Sequence, residues 1–430
     1  MPATPDDHDH ASGFGAGEID AASERIRDHV AHTPLERSAR LSRLVGAEVM
    51  LKREDLQGVR SYKSRGAFNL MLQLTDAERE AGVVCASAGN HAQGFAKACH
   101  DLGISGRIFV PRTTPRQKID RIREFGGADV DLVQAGATYD EASAAAVDWA
   151  RTSGAVNVHP FDDPRTIAGQ GTVAREIHDQ LGASPDIVVV PVGGGGLLAG
   201  MATYFAERSP RTTVVGIEPA GAASLAAALA AGGPVELESI DTFIDGAAVR
   251  KAGRLPFEQV GRLGVELRAV DEGRVCTEML TLYQADGIIA EPAGALAPAA
   301  IGPAGGKATI AVEPGSTVVC VISGGNNDIS RYAEVEERSL VYEGLRHYFV
   351  VDFPQEPGAL RRFLDEVLGP DDDISLFEYV KRSNRETGPA FIGVTLGAPE
   401  GLDPLLLRMD ASPLDIRRVE PESPLFRIFV

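Results

Sequence analysis

The chain has 430 residues, with 42 Lys and Arg against 61 Asp and Glu, so its formal net charge is −19. Hydrophobic residues make up 44% and charged residues 24%, which is typical of a folded globular protein and excludes a mostly disordered chain. The length predicts two or three domains. An acidic chain repels nucleic acid and anionic membrane surfaces, so we expect neither as a partner.

The four cysteines are Cys85, Cys99, Cys276 and Cys320. They lack the paired spacing of a zinc site or a disulfide framework. We therefore expect buried thiols in a reducing cytoplasm. Residues 1–16 have neither the basic nor the apolar stretch of a signal peptide, and they predict a flexible tail.

The region from residue 17 to 331 alternates short apolar strands with helices. The predicted strands are residues 48–52, 82–87, 107–111, 130–133, 156–160, 187–192, 214–219 and 318–323. Most are continuously apolar, as expected of parallel strands that are covered on both faces. A helix over residues 138–154 has Thr138 as its N-cap and Gly154 past its end. The alternation predicts an α/β fold with a mostly parallel sheet.

The C-terminal part of the chain has a different pattern. Residues 331–345 predict a polar helix, and the segments after it follow the order βαββαβ, with a last strand over residues 424–430. That order is typical of an α+β ferredoxin-like domain. We place the domain boundary near residue 342.

Four glycine-containing loops hold the candidate functional residues, and three of them directly follow a predicted strand. Ligands of open α/β sheets bind at the carboxyl ends of the strands. Residues 191–202 (PVGGGGLLAGMA) combine bare backbone N–H groups with a helix start, which suits a phosphate monoester better than a plain flexible loop.

The other three loops are less specific. Residues 87–94 (SAGNHAQG) offer donors at a helix start that suit a carboxylate, although His91 taken alone is better explained as a buried structural histidine. Residues 323–328 (SGGNND) also fit a polar turn. Residues 290–296 (AEPAGAL) also fit a simple helix start with Glu291 as a capping acid.

Lys63, in the stretch SYKSRGA, is the candidate nucleophile. A lysine beside a phosphate-binding loop can form a Schiff base with an aldehyde if burial or nearby cations lower its pKa. We interpret the neighbouring cations as surface charges or as partners of Glu54 and Asp55. These cations are Lys52, Arg53, Arg60 and Arg65.

Together these motifs resemble the fold-type II, tryptophan synthase β-like pyridoxal-phosphate enzymes, and among them the biosynthetic threonine dehydratases. SYKSRGA, SAGNHAQG, GGGGL, AEPAGAL and SGGNND occur in the order of that family, over roughly residues 20–330. The resemblance implies a two-lobed catalytic domain with parallel sheets over residues 17–341, in which the smaller lobe covers about 65–160. It also implies an ACT-like regulatory domain over residues 342–430.

The resemblance implies a role for each motif. Lys63 would hold pyridoxal 5'-phosphate as a Schiff base, Asn90 would contact the ring 3-oxygen, and Ser323 would face the pyridine nitrogen. The residues that would bind the phosphate are Gly193, Gly194, Gly195, Gly196 and Leu197. The residues that would bind the substrate carboxylate are Ser87, Ala88, Gly89, Asn90 and His91.

The implied reaction converts L-threonine to 2-oxobutanoate and ammonia, the first committed step of isoleucine biosynthesis. Lys63 would remove the Cα proton while the cofactor takes up the electrons, and either Lys63 or the cofactor phosphate would protonate the leaving hydroxyl. A serine at the pyridine nitrogen cannot hold the ring protonated as a carboxylate does, which favours elimination over racemisation.

Three positions depart from related sequences. Ala88 stands where related serine racemases have a second serine, so racemisation should be poor. Ser224 stands where their divalent-metal site has a second acid beside Glu218, so we expect no obligatory divalent metal and leave a monovalent cation open. Ala293 replaces a serine that is common in this family.

The stretch FPQEPGALRRFL resembles the ACT-like domain of the same dehydratases. This implies isoleucine as a feedback inhibitor and allows valine as an opposing effector. Because ferredoxin-like domains with exposed strand edges often pair, we expect a dimer or, with more subunits, a homotetramer. Two other hypotheses stay open. One is a serine dehydratase or a β-replacement enzyme of the cysteine-synthase type, and the other is a non-catalytic amino-acid sensor, against which Lys63 argues.

Overall fold

The computed structural model describes residues 14–303, 308–379, 386–420 and 423. The chain divides into two compact units, Met1–Ile329 and Ser330–Val430. The predicted boundary at residue 342 falls inside the second unit, at the end of its first helix. Of the predicted tail, residues 1–13 lie outside the described residues, and Ala16 begins the first helix with its side chain buried.

The first unit alternates strands and helices. Its described strands are β1 (Leu35–Arg37), β2 (Glu48–Arg53), β3 (Val83–Ala86), β4 (Gly106–Val110), β5 (Val130–Gln134), β6 (Val156–Asn157), β7 (Ile187–Pro191), β8 (Thr213–Pro219), β9 (Glu266–Val270), β10 (Ile301–Pro303), β11 (Ile310–Val312) and β12 (Thr317–Ile322). Its described helices are α1 (Ala16–Ile26), α2 (Ala39–Val45), α3 (Lys63–Met71), α4 (Asp76–Ala81), α5 (Asn90–Leu102), α6 (Arg116–Gly126), α7 (Tyr139–Ser153), α8 (Pro164–Leu181), α9 (Gly196–Arg208), α10 (Ser224–Ala231), α11 (Arg254–Leu263), α12 (Glu272–Asp286) and α13 (Pro292–Ala300).

Two sheets form two lobes. The larger sheet has the order β1-β2-β12-β7-β8-β9, and every pair in it is parallel except β1 with β2. The smaller sheet has the order β5-β4-β3-β6 and is wholly parallel. Each sheet has its own apolar cluster. The predicted α/β fold is confirmed, and the span predicted for the smaller lobe contains all four strands of the smaller sheet.

The eight predicted strands are confirmed, and so is the helix predicted over residues 138–154. Thr138 caps that helix by accepting a hydrogen bond from Glu141 N at 3.3 Å, and Gly154 ends it in the left-handed conformation. The prediction missed β1, β9, β10 and β11, which are short or carry exposed polar residues. Strand β6 ends at Asn157, earlier than predicted, and this early end proves important for the site.

The second unit is an α+β domain. Its described elements are α14 (Tyr332–Tyr342), β13 (Arg346–Pro354), α15 (Ala359–Glu366), β14 (Asp373–Tyr379), β15 (Thr387–Thr395), α16 (Leu402–Ala411) and β16 (Asp415–Val419). The sheet is antiparallel with the order β14-β15-β13-β16, as in a ferredoxin-like domain. The last strand of this sheet is β16, which the sequence analysis missed, and the strand predicted over 424–430 lies outside the described residues.

Both faces of this sheet are covered. Phe349 on one face packs with Phe363 of α15 and Leu405 of α16. Tyr348 on the other face packs near Val341 of α14. The helix α14 therefore belongs to the second unit through its packing.

The prediction that the thiols are buried is confirmed, because all four are free and buried. Within the described part of the chain, no helix is both long and apolar enough to cross a membrane.

The interpretation of Lys52 and Arg65 as surface charges is wrong, because both side chains are fully buried. Lys52 Nζ lies 2.6 Å from Glu176 Oε2, and Arg65 Nη1 lies 2.6 Å from Glu176 Oε1. Arg65 also donates two hydrogen bonds of 2.8 Å to Glu54, as predicted. In this cluster the two positive charges of Lys52 and Arg65 balance the two negative charges of Glu54 and Glu176. The cluster ties α3 to β2 and α8.

We predict that Glu176→Gln destabilises the first unit by about 3–5 kcal/mol, because it leaves the buried cations Lys52 and Arg65 with one carboxylate between them. The measurement is urea denaturation of the cofactor-free protein followed by circular dichroism. Glu258→Gln is the matched control, because its partner Arg254 is 63% exposed and such pairs contribute only about 0.3–0.5 kcal/mol. An equal loss of unfolding free energy in the two variants would contradict the role of the cluster.

Candidate active site

The five sequence motifs meet at one place between the lobes. Asn90, at the carboxyl side of β3, hydrogen-bonds to Glu291 and Asn326. Tyr62 N donates to Ser323 O at 3.2 Å, which joins the lysine stretch to the loop after β12. The tetraglycine loop after β7 joins this group through Phe161, whose ring lies against Gly194. The arrangement follows from parallel strands, whose carboxyl ends share one edge.

Lys63 is the first residue of α3, and its side chain is partly buried. Its Nζ donates to Pro160 O at 3.0 Å and lies 5.2 Å and 6.0 Å from the ring centres of Tyr62 and Phe161. Burial lowers the pKa of Lys63 to about 8, although the nearby carboxyl of Glu291 acts in the opposite direction. A substantial fraction of the amine is therefore neutral near physiological pH, as a nucleophile requires.

The tetraglycine loop has no room for side chains. A Cβ at Gly193 would lie 2.9 Å from Ala247 Cα, and one at Gly194 would overlap the ring of Phe161. Gly195 has a φ of 91°, which disfavours other residues. Helix α9 begins at Gly196, so its N-terminal amides face this loop and favour an anion there.

Leu197 can contribute to an anion site only through its backbone. Its side chain is buried in the apolar cluster of the larger lobe. The predicted phosphate site therefore consists of main-chain N–H groups from residues 193–197, with no cationic side chain in that segment.

The loop before α5 places small groups at the helix start. Ser87 Oγ accepts a hydrogen bond from Gly89 N at 3.2 Å, and the space beside Gly89 is open. Ala88 packs against the small-lobe core and offers no proton-transfer group. Further along α5, Gly94 lets this helix approach the backbone of Ser64 and Lys63 closely.

The ring of His91 does not face the open site. It is buried, and its Nε2 lies 2.7 Å from Val158 O. Burial, with a smaller contribution from the charge of Lys63, lowers the pKa of His91 to about 3, so the imidazole is neutral at physiological pH. His91 can therefore act in substrate binding only through its backbone, and its side chain is the buried histidine that the sequence favours.

Asn90 is held by two polar side chains. Its Nδ2 donates to Glu291 Oε1 at 2.5 Å, and its Oδ1 accepts from Asn326 Nδ2 at 2.7 Å. Burial, and then repulsion from Asp245, raises the pKa of Glu291 to about 7. Glu291 was considered only as a capping acid and Asn326 only as a turn residue, because their partner lies more than 200 residues away in the sequence.

Ser323 is buried at the end of β12, and its Oγ donates to Ala293 O at 3.2 Å. This acceptor is a backbone carbonyl, which any residue at position 293 supplies. The replacement of serine by Ala293 therefore leaves this hydrogen bond intact. A hydroxyl proton can rotate, so Ser323 could equally donate to a ring nitrogen.

Glu218 caps a helix. Its carboxylate accepts hydrogen bonds from Leu225 N at 2.7 Å and Ala226 N at 2.9 Å, and burial raises its pKa to about 7. Ser224 lies beside it and carries no charge. Within the described ranges, no group of three or more His, Cys, Asp or Glu side chains is placed to hold a metal ion.

Pro160 and Phe161 are site residues that the sequence analysis missed. They follow His159, whose Nδ1 accepts a hydrogen bond from Asp162 N at 2.8 Å and so closes a turn. Strand β6 ends at Asn157, so the turn lies at the carboxyl edge of the smaller sheet. A strand end at that edge is the signal that the sequence offers, but the predicted strand over residues 156–160 includes Pro160.

These residues fit pyridoxal phosphate. The cofactor needs a partly neutral amine, a main-chain cradle for a phosphate, and polar groups for its ring substituents. Lys63, the bare loop at 193–196, Asn90 and Ser323 supply these groups around one space.

Comparison with known proteins identifies the family. A model of pyridoxal-phosphate dependent enzymes matches residues 26–324, and a model of the C-terminal regulatory domain of threonine dehydratase matches residues 337–429. The biosynthetic L-threonine dehydratase of Mycobacterium tuberculosis is 61% identical over 96% of this chain and 96% of its own length. The chain belongs to the biosynthetic threonine dehydratase family.

More distant dehydratases and solved structures agree with this assignment. The biosynthetic L-threonine dehydratase of Bacillus subtilis is 47% identical over 95% of this chain and 96% of its own length. The processed threonine deaminase isoform 2 of Solanum lycopersicum has a TM-score of 0.69 and 38% identity, over 76% of this chain and 95% of that one. A maize serine racemase has the same TM-score with 30% identity, over 77% of this chain and 99% of that one.

We predict that Lys63 of the cofactor-free protein reacts with an amine-specific reagent with a pH midpoint near 8. Because its pKa is lowered, the amine is charged and inert below this pH and neutral above it. Peptide mapping of the labelled protein measures the midpoint, and Lys97, which is paired with Asp101 on the surface, reports the pH dependence of the reagent. A Lys63 midpoint near the ordinary lysine value of 10.5 would contradict its desolvation.

Proposed function

We propose that this protein converts L-threonine to 2-oxobutanoate and ammonia with pyridoxal 5'-phosphate as cofactor, under feedback inhibition by isoleucine. The observation that carries the proposal is the amine of Lys63, whose pKa burial lowers to about 8, at the meeting point of the five motifs. The threonine dehydratase names of its relatives support the choice of substrate.

The residues of this chain have distinct tasks in the reaction. When bound, pyridoxal phosphate supplies an electron sink for the substrate Cα. Lys63 Nζ first holds the cofactor and then removes the Cα proton of the substrate. The amides at the start of α5, next to Gly89, bind the substrate carboxylate. The amides of residues 193–197 bind the cofactor phosphate. The rings of Tyr62 and Phe161 lie beside the amine, at 5.2 Å and 6.0 Å from Nζ.

Elimination is favoured over racemisation at this site. The fold does not decide between these reactions, because the maize serine racemase has the same TM-score as the tomato threonine deaminase. Ala88 lies within the substrate loop, and its methyl group cannot return a proton to the Cα. Loss of the β-hydroxyl is then the main fate of the deprotonated substrate.

We predict that the purified protein releases 2-oxobutanoate from L-threonine, and that Lys63→Ala lowers the rate by at least about 1,000-fold while the protein stays folded. A coupled assay for the keto acid measures the rate, and circular dichroism checks the fold. Lys97→Ala is the matched control and should keep full activity. A folded wild-type protein that binds the cofactor but makes no keto acid would favour the β-replacement alternative, for which acetylserine is the next substrate.

The second unit offers a site for the regulatory amino acid. An open groove of about 400 Å³ lies where β13 runs into α15, and its walls are mainly apolar. Leu360 and Leu364 line it together with Phe353, Phe377 and Tyr379. A branched aliphatic side chain suits such walls, so we place isoleucine here, with valine as a competitor.

We predict that Leu364→Glu weakens isoleucine inhibition at least about tenfold, because it puts a charge into an apolar groove, and leaves the uninhibited rate unchanged. The measurement is the isoleucine concentration that halves the threonine-dependent rate. Leu407→Glu is the matched control, because Leu407 is 71% exposed on α16 and does not line the groove. Unchanged inhibition in Leu364→Glu would place the effector elsewhere.

A homotetramer and a cytoplasmic location complete the proposal. The homotetramer rests on membership of the family. The location is supported by four free, buried thiols, which suit a reducing compartment.

A further inference from the structure

The amide orientation of Asn90 is determined by a chain of hydrogen bonds. Val59 O can only accept, so the group that faces it at 2.8 Å must be Nδ2 of Asn326. The same Nδ2 lies 2.7 Å from Asn90, so the Asn90 atom that faces it is Oδ1. The Nδ2 of Asn90 then faces Glu291 Oε1 at 2.5 Å.

This arrangement leaves a donor of Asn90 for a ligand. An amide nitrogen carries two N–H groups, and the bond to Glu291 uses one of them. The second N–H is not used by the bonds to Glu291 and Asn326. Asn90 is expected to contact the 3-oxygen of the cofactor ring, which is a hydrogen-bond acceptor. The second N–H of Asn90 is the donor that this contact requires.

The carboxyl of Glu291 is fixed tightly enough to orient its partner. Glu291 is buried at the start of α13, and its backbone N donates to Gly324 O at 3.1 Å. A Cβ at Gly324 would overlap Oε1, so only glycine allows the carboxyl to reach Asn90 from this side. Asn326 follows in the same loop, and its amide is anchored by Val59 O.

We propose that Glu291 and Asn326 are positioning residues, which together aim the second amide N–H of Asn90 at the 3-oxygen of the bound cofactor. The inference rests on the proposed use of pyridoxal phosphate. It adds two residues whose side chains bond to Asn90. We expect their effect on cofactor binding to pass through Asn90.

A double-mutant cycle on cofactor affinity tests this route. The dissociation constant of pyridoxal phosphate is measured by absorbance titration of the dialysed, full-length protein. Asn326→Asp keeps the shape but replaces the donor with an acceptor. We expect it to weaken binding about tenfold, as loss of one strong hydrogen bond does. Asn90→Ala should weaken binding by a similar factor, and the double variant should show no further loss.

Asn327→Asp is the matched control. It makes the same chemical change one residue along, and it removes a comparable bond, from Asn327 Nδ2 to Ala290 O at 2.6 Å. Because no described bond joins Asn327 to Asn90, its effect on cofactor affinity should stay within about twofold and should add to that of Asn90→Ala. If Asn326→Asp does not fold, Asn326→Ala enters the same cycle with the same expectation.

Glu291→Gln is the conservative variant at the other partner. Its side-chain oxygen can still accept from Asn90 Nδ2, so cofactor affinity should stay near that of the wild type, whereas Glu291→Ala should weaken binding and be non-additive with Asn90→Ala. Additive losses, or unchanged affinity in Asn326→Asp or Asn90→Ala, would overturn the inference. A protein that binds the cofactor with the expected cycle but makes no 2-oxobutanoate would instead contradict the proposed reaction.

Discussion

The partial burial of Lys63, which lowers the pKa of its amine, is the constraint on which the rest of the site depends. A lysine can act as a nucleophile near neutral pH only when burial or a nearby cation lowers its pKa. Here burial is responsible, since the nearby charge of Glu291 acts in the opposite direction. The amine lies at the first turn of α3, with Tyr62 and Phe161 beside it.

Burying an amine between two lobes requires that the lobes meet closely and in one arrangement. The glycines of the tetraglycine loop and Gly94 allow backbone to approach backbone or ring without a side chain between them. The cluster of Lys52, Glu54, Arg65 and Glu176 fixes α3 two residues after the reactive lysine. Such a cluster costs desolvation energy, so its value lies in defining one position for the helix rather than in added stability.

Much of the fold could be predicted from the sequence, because parallel strands are buried on both faces and read as apolar runs. The strands that escaped prediction, such as β1 and β9, are edge strands with exposed polar residues. Strand β16 escaped because three of its five residues are exposed and charged: Asp415, Arg417 and Arg418. Local patterns do not contain the information that places such segments at a sheet edge.

The candidate site was predictable where local chemistry is distinctive and unpredictable where it depends on distant partners. Lys63 and the four glycines stand out by residue type and by position after a strand. Glu291 and Asn326 do not, because each is ordinary in its own loop and gains its meaning only from Asn90. Lys52 and Arg65 look like surface charges for the same reason, since Glu176 lies more than 100 residues away along the chain.

The most direct test of the account is to locate the cofactor covalently. The full-length protein is loaded with pyridoxal phosphate, reduced with borohydride and digested, and the modified peptide is identified by mass spectrometry. The account predicts a single pyridoxyl group on Lys63, within the stretch SYKSRGA. A modification on another lysine, or none in a folded protein that has been saturated with the cofactor, would contradict it.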